Sequence, residues 1–335
     1  MSVAPPRDVV LELDGVATSF RTRRGTVEAI SDVSFRLHRG ETLAVVGESG
    51  SGKSVTALSI LRLLGVSGRV TRGRVLFGGQ DLAALPDGEL REIRGRSIAM
   101  VFQDPATCLD PVYTVGDQIV EAILLHEEVS KPEARRRAVE MLTRVGIPDP
   151  AQRAASFPHQ LSGGQRQRVM IAMALACRPS VLIADEPTTA LDVTVQAQIL
   201  ELLRDVSEEF GTAMILVTHD LGVVAEMADR VLVMYAGRIV EEGTVHDVLV
   251  RPNHPYTVAL MRTNPGGVAD PTQRLHAIPG SVPNLFEMPQ GCRFRPRCEF
   301  AFDRCGDEPP LLDLGAGRSS RCWLAEANAS AGGVA

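Results

Sequence analysis

Short, almost wholly apolar runs bounded by glycine-rich or polar turns mark most of this chain, and a stretch of helical spacing interrupts them. Thr42 to Val46, Val181 to Ala184 and Met214 to Val217 read as short buried strands. Val9 to Leu37 predicts an N-terminal strand region, and Val231 to Tyr235 with Arg238 to Glu242, split by Ala236-Gly237, reads as a strand pair. Between Gln103 and Ser162 the pattern turns helical, clearest over Val115 to His126 and Lys131 to Val145, with Gly146-Ile147-Pro148 as a stop. The expected fold is an α/β core with a β-rich edge and an inserted helical subdomain. Its boundaries are read as residues 1–250 for the core, 104–175 for the insertion and 251–325 for an extension, with a small, polar, disordered tail over 326–335.

The turn after the first buried strand carries the chemistry. Gly47-Glu48-Ser49-Gly50-Ser51-Gly52-Lys53-Ser54 fits GxxxxGK[ST], a loop whose glycines let successive backbone N–H groups point inward at a phosphate. A helix predicted from Ser54 to Leu64 adds its positive end. Lys53 is expected to hold the β- and γ-phosphates of ATP and Ser54 to bind Mg2+, which makes the core a P-loop NTPase.

Downstream, Leu161-Ser162-Gly163-Gly164-Gln165 reads as a turn opening a second helix, with Ser162 as N-cap and the apolar-rich run Val169 to Cys177 behind it. Glycine amides at a helix start make a second anion site. The strand Val181-Leu182-Ile183-Ala184 then ends in Asp185 and Glu186, a Walker B pattern. Asp185 is placed to orient Mg2+ and Glu186, one step further out, to polarise the attacking water.

With these motifs the chain resembles the nucleotide-binding subunits of ABC transporters over about residues 10–250. The resemblance implies that Ser162, Gly163, Gly164 and Gln165 face the phosphate loop of a second ATPase domain, so two chains sandwich two ATP molecules. It further implies a Q-loop role for Gln103, contacting Mg2+, the attacking water and the membrane partner, a dimer-seam role for Asp192, and a γ-phosphate contact for His219. Phosphoryl transfer to water needs positioning and charge neutralisation more than covalent help, and a lysine, a metal, a carboxylate and a histidine supply both. Phe20 is the candidate for stacking on adenine, with a core role as the alternative, since Phe35 also lies upstream of the loop.

Composition limits the partners. The chain has 335 residues, 44% of them apolar, with a net charge of −6 and a mean hydropathy of +0.05, which describes a soluble protein with ample core. The acidic balance argues against a nucleic-acid binder. Val169 to Cys177 falls well short of the ~20 apolar residues that span a bilayer, and the start of the chain lacks the basic and apolar regions of a signal peptide. The expectation is a peripheral protein on the cytoplasmic face of the membrane.

Four of six cysteines, Cys292, Cys298, Cys305 and Cys322, fall in the last fifth of the chain, with Arg293, Arg295, Arg297 and Arg304 around them. Disulfides are disfavoured for a cytosolic chain, so the clustering points to a metal-binding extension. Three readings stay open: a [4Fe–4S] cluster whose negative charge the arginines offset, a Zn2+ site, or unmetallated thiols. Asn253-His254-Pro255-Tyr256-Thr257, Ile278-Pro279-Gly280-Ser281-Val282-Pro283 and Gly291-Cys292-Arg293-Phe294-Arg295-Pro296-Arg297-Cys298 resemble the C-terminal extension of oligopeptide and dipeptide importer ATPases. That resemblance implies an iron–sulfur site, a second and different ATPase subunit, two transmembrane permeases and an extracytoplasmic substrate-binding protein. Nickel or another small solute stands as the alternative cargo, and a soluble ABC ATPase of DNA repair or translation as the alternative class; the latter lacks its heptad repeats or tandem second domain here.

Overall fold

The computed structural model describes residues 8–189, 191–263 and 277–330. Its first half contains β1 (Val9–Thr22), β2 (Gly25–His38), β3 (Thr42–Val46), α1 (Lys53–Ile60), β4 (Gly68–Phe77), β5 (Gln80–Asp81), α2 (Asp87–Ile93), β6 (Ile98–Val101), α3 (Pro105–Cys108), α4 (Val115–His126), α5 (Lys131–Arg144), α6 (Pro150–Arg153) and α7 (Gly163–Leu175). The second half follows with β7 (Val181–Asp185), α8 (Val193–Phe210), β8 (Ala213–Thr218), α9 (Leu221–Met227), β9 (Arg230–Tyr235), β10 (Arg238–Thr244), α10 (Val245–Val250), α11 (Pro255–Thr263), β11 (Leu312–Gly315), β12 (Arg318–Ser320) and α12 (Trp323–Ser330). These residues divide into two compact units. One takes the described residues up to Val10, Leu37–Glu41 and Ala84–Leu216; the other takes Leu11–Arg36, Thr42–Ala83 and the described residues from Val217 onward.

In the unit built around 84–216, β6 and β7 pair in parallel from Ile98↔Val181 to Val101↔Ala184. Both strands are buried along their whole length, as continuous apolar runs require. The helices α3 to α7 fill residues 105–175. Thr114 caps α4 by accepting from the Asp117 N–H, and Ser130 caps α5 at Glu133 with Pro132 in the first turn. Val115, Ile119 and Ile123 make one buried stripe on α4, and Ala134, Ala138, Met141 and Leu142 another on α5. Gly146, at φ +70, ends α5 where the sequence places its stop.

In the other unit, β3 pairs in parallel with β9, from Leu43↔Arg230 to Val46↔Val233. β9 and β10 form the expected antiparallel pair, turned by Ala236 and Gly237 at φ +45 and +82, the left-handed geometry of a tight two-residue hairpin. β12 adds to β10 and β11 to β12, both antiparallel. A second, antiparallel sheet in the order β2-β1-β4-β5 forms the β-rich edge.

Three sequence expectations change. α1 ends at Ile60, four residues before the predicted end, because Leu61 leaves the helix and Arg62 turns left-handed at φ +52. α12 occupies residues 326–330 of the stretch read as a disordered tail, and 331–335 lie outside the described residues. The extension also has more core than the sequence suggests, since Tyr256, Leu260 and Phe294 pack into one buried cluster with Ala44 and Val46 of β3, Val231 and Val233 of β9 and Val240 of β10.

The seam between β10 and α11 is polar and buried. The Glu241 carboxylate, 2% exposed, accepts from the backbone N–H of Asn253 (2.6 Å) and of His254 (3.0 Å). The His254 ring accepts from the Tyr256 N–H through Nδ1 at 3.0 Å. Burial pushes Glu241 up and holds His254 down, to about 3. Folded His254 is therefore neutral while the unfolded chain protonates near the ordinary histidine value, so its contribution is intact above about pH 6.5 and falls as pH drops toward 3. The stability advantage of the native chain over His254→Gln is expected to shrink by roughly 1.4 kcal/mol per pH unit between pH 6.5 and 5, read by urea unfolding.

Candidate nucleotide-binding and hydrolysis site

The phosphate loop runs from the end of β3 to the first turn of α1. Gly47 (φ +151), Gly50 (φ +79) and Gly52 (φ +104) carry its left-handed positions. At Gly47 a Cβ would stand 2.2 Å from the Met234 carbonyl oxygen, and at Gly52 2.8 Å from Ile30 Cγ2, so glycine is required for space as well as for torsion. Ser51 is fully buried and its carbonyl accepts from the Gly237 N–H at 2.8 Å, which ties the loop to the β9–β10 turn. The Lys53 ammonium, 5% exposed, donates to the carbonyls of Gly47 (2.8 Å) and Glu48 (3.1 Å) and so lies along the inside of the loop. Ser54 is half-buried in the first turn of α1, Ser49 and Gly50 are at the loop's exposed rim, and His219 is exposed just after β8. Phe20 lies half-buried near the end of β1 opposite Gly68, where a Cβ would come 2.6 Å from its ring, while Phe35 is buried.

In the unit holding β6 and β7, Asp185 is buried at the end of β7 and Glu186 follows it half-buried. Glu186 has φ +46, a left-handed conformation that a non-glycine residue holds only under constraint. The constraint is visible: Gln103 Nε2 donates to Glu186 Oε2 at 3.0 Å and the Thr189 hydroxyl donates to the same oxygen at 2.9 Å. The sequence separates Gln103 and Glu186 by 83 residues, and the parallel pairing of β6 with β7 brings both strand ends together.

The Leu161-to-Gln165 turn is a complete capping box. Ser162 Oγ accepts from the Gln165 N–H at 3.3 Å, and the Gln165 side chain accepts from the Ser162 N–H at 3.1 Å. Gly164 is needed for packing, since a Cβ there would approach Val195 Cγ1 at 2.8 Å. Asp192 caps α8 by accepting from the Val195 N–H at 3.0 Å. The two turns face each other across a cavity of about 480 Å³ lined by Gly146, Ser162, Gln165, Arg168, Asp192 and Val195 among others.

Against known proteins, the ABC transporter family matches residues 30–189, and the C-terminal region of oligopeptide/dipeptide transporters matches residues 240–305. A peptide import ATP-binding protein of Brucella abortus (strain 2308) is 52% identical over 329 residues, 94% of this chain and 97% of that protein. The chain belongs to the ABC transporter family. A peptide ABC transporter ATP-binding protein of Sinorhizobium fredii is 51% identical over 325 residues, covering 96% of this chain and 97% of that one. Among solved structures, a dimeric ATP-binding cassette in a post-hydrolysis state with ADP and Pi is 32% identical with a TM-score of 0.64, covering 70% of this chain and 98% of that chain. Part of a Clostridium perfringens ABC transporter complex, cbiO1, is 31% identical with a TM-score of 0.61, covering 73% and 92%. This ABC protein is therefore an ATPase of the transport class, with the oligopeptide/dipeptide C-terminal region.

In the extension of this ABC protein, Cys305 and Cys322 are buried and Cys292 and Cys298 half-buried, all as free thiols. The Cys292 N–H donates to the Cys305 carbonyl at 3.0 Å. Burial pushes the thiols of Cys292, Cys298 and Cys322 up, backbone N–H groups at Phe294, Phe300 and Leu324 pull them down, and neighbouring cysteines add an upward push. Among the described residues no group of three or more His, Cys, Asp or Glu is arranged to hold a metal ion. Three of the four arginines are engaged away from the thiols. Arg293 donates to Ser31 (3.0 Å) and to the Ala236 carbonyl, Arg297 pairs with Glu48 (2.7 Å), and Arg304 pairs with Glu326 (2.6 Å) and stacks on Trp323 at 3.9 Å. Sequence reasoning missed Tyr256 and Arg297 as neighbours of the phosphate loop. No helix among the described residues is long and apolar enough to cross a membrane.

Proposed function

We propose that this ABC ATPase energises uptake of di- or oligopeptides through membrane-embedded partners, bound peripherally at the cytoplasmic face of the membrane. The carrying observation is the match of residues 240–305 to the oligopeptide/dipeptide transporter C-terminal region, joined to near-full-length relatives named for peptide import. The partners of this reading are a second, different ATPase subunit, two permeases and an extracytoplasmic peptide-binding protein. Residues 1–250 form the ATPase domain with 104–175 as its helical insertion, and 251–325 the importer extension.

In this reading Gly47 to Ser54 cradle the phosphates of ATP, with Lys53 on the β- and γ-phosphates and Phe20 against adenine. Ser54, Gln103 and Asp185 hold Mg2+, which neutralises phosphate charge when bound. Glu186 takes the proton of the attacking water, a role supported by the hydrogen bonds from Gln103 and Thr189 that fix its carboxylate. His219 contacts the γ-phosphate. Ser162, Gly163, Gly164, Gln165 and Asp192 complete the site of the second ATPase domain, a role that suits the open cavity they line.

The four-cysteine set is proposed to hold a [4Fe–4S] cluster, with Zn2+ as the alternative. The support is their mutual proximity: the Cys292 N–H donates to the Cys305 carbonyl, and Cys292, Cys298 and Cys322 each lie close enough to other cysteines of the set to feel their charge. A cluster there would tie residues 292–322 together; it takes no part in hydrolysis.

Three outcomes follow. Glu186→Gln is expected to bind ATP as tightly as the native chain while turnover falls by at least ~100-fold, measured by nucleotide binding and phosphate release; unchanged hydrolysis would contradict its role. Affinity purification from gently solubilised membranes is expected to recover two polytopic permeases and a second ATPase, and recovery of ribosomes or DNA-repair factors instead would overturn the transport reading. Anaerobically purified protein is expected to carry about four iron atoms per chain and absorb broadly near ~400 nm; protein lacking both features would remove the iron–sulfur proposal.

A further inference from the structure

The C-terminal extension reaches into the phosphate loop at Glu48. The Arg297 guanidinium, whose side chain is 5% exposed, grips the Glu48 carboxylate with both Nη atoms, at 2.7 Å to Oε2 and 3.0 Å to Oε1. Its other N–H groups are also spent. Nε donates to the Pro279 carbonyl (2.7 Å), Nη2 to the Ile278 carbonyl (3.3 Å) and Nη1 to the Tyr235 hydroxyl (3.4 Å), so all five donors have acceptors and the fork cannot swing away without losing several bonds. The Tyr256 hydroxyl takes the Glu48 backbone N–H at 2.8 Å. Tyr235, Tyr256 and Phe294 lock against one another beneath this contact, with ring centroids 4.6, 5.2 and 5.4 Å apart.

Glu48 is an awkward residue for its place. It puts a carboxylate into a loop whose task is to gather a triphosphate, and like charges repel strongly where water is partly excluded. Its carbonyl meanwhile accepts from Lys53 Nζ and from the Ser51 N–H, so any shift of Glu48 shifts the lysine as well.

We propose that Arg297, with Tyr256, is a positioning residue for ATP binding: it neutralises Glu48 and fixes the first turn of the phosphate loop, making the extension a working part of the nucleotide site. This rests on the reading of residues 47–54 as the ATP site. The consequence has a sign that a merely structural arginine would not produce. Arg297→Met loses the grip and also leaves a bare carboxylate beside the phosphates, whereas removing that charge as well relieves the second defect.

The test is binding of Mg2+·ATP to the full chain by titration calorimetry. Arg297→Met is expected to weaken binding about tenfold or more, Arg297→Lys to fall between it and the native chain because lysine keeps the charge and loses the fork, and Glu48→Gln combined with Arg297→Met to recover several-fold over Arg297→Met alone. Native affinity in Arg297→Met, or no recovery in the double variant, would overturn the proposal. Because Arg297→Met also cuts contacts within the extension, the double variant, which cuts the same contacts, is the control for folding: a loss caused by misfolding would persist in it, whereas recovery isolates the Glu48 charge. A native chain that binds no ATP would remove the loop reading itself and the clamp with it.

Discussion

At Gly47 and Gly52 the backbone between β3 and α1 runs where no side chain fits, and most of the surrounding architecture follows from that path. A Cβ on Gly47 would collide with the Met234 carbonyl of β9, and one on Gly52 with Ile30 of β2. The loop is therefore packed against two strands from different sheets of one unit, and its shape is set by them before any nucleotide arrives. Preformed amides are what an anion site needs, because the cost of ordering the loop is then met in folding and not in binding. The β9–β10 turn belongs to the same foundation. Gly237 donates to Ser51, and Arg293 from the extension donates to the neighbouring Ala236 carbonyl, so the extension braces the loop from the turn as well as through Glu48.

A different economy governs Glu186. A buried strand delivers Asp185 in ordinary extended geometry, but the next residue must leave the strand axis at once, and it does so with a left-handed φ. Such a conformation costs on the order of 1 kcal/mol or more and persists only where neighbours over-determine it. Gln103 and Thr189 provide that, both donating to one carboxylate oxygen. Both hydrogen bonds fix the carboxylate, and the one from Gln103 ties the end of β6 to the end of β7.

Legibility in the sequence tracked the range of the interactions. The phosphate loop, the Ser162 N-cap and the buried strand ending in Asp185 are local patterns, each carried within a run of eight residues or fewer, and they read directly. The end of α1 was misplaced because nothing in the apolar pattern announces the left-handed Arg62. Helix α12 was missed because a small, polar composition describes a tail as well as it describes a short helix supported by Cys322 and Ala325 packing inward. The arginines around the cysteines were read as counter-charges for the thiols, since proximity in sequence was the only guide; in three dimensions Arg297 points to a residue 249 positions away. A pairing over that distance leaves no periodicity to find.

That long-range pairing also changes what the extension is. Read as sequence, residues 251–325 are an extension marked by its four cysteines. In the structure Tyr256, Leu260 and Phe294 share a core with β3, β9 and β10, and Cys292 and Cys298 pack against the same cluster. β11 and β12 continue the sheet from β10. The extension is thereby held by a shared core and a shared sheet as well as by its contacts with the phosphate loop. Cys298 directly follows Arg297 in the chain, so the residue that holds Glu48 and one of the four thiols are neighbours along the backbone.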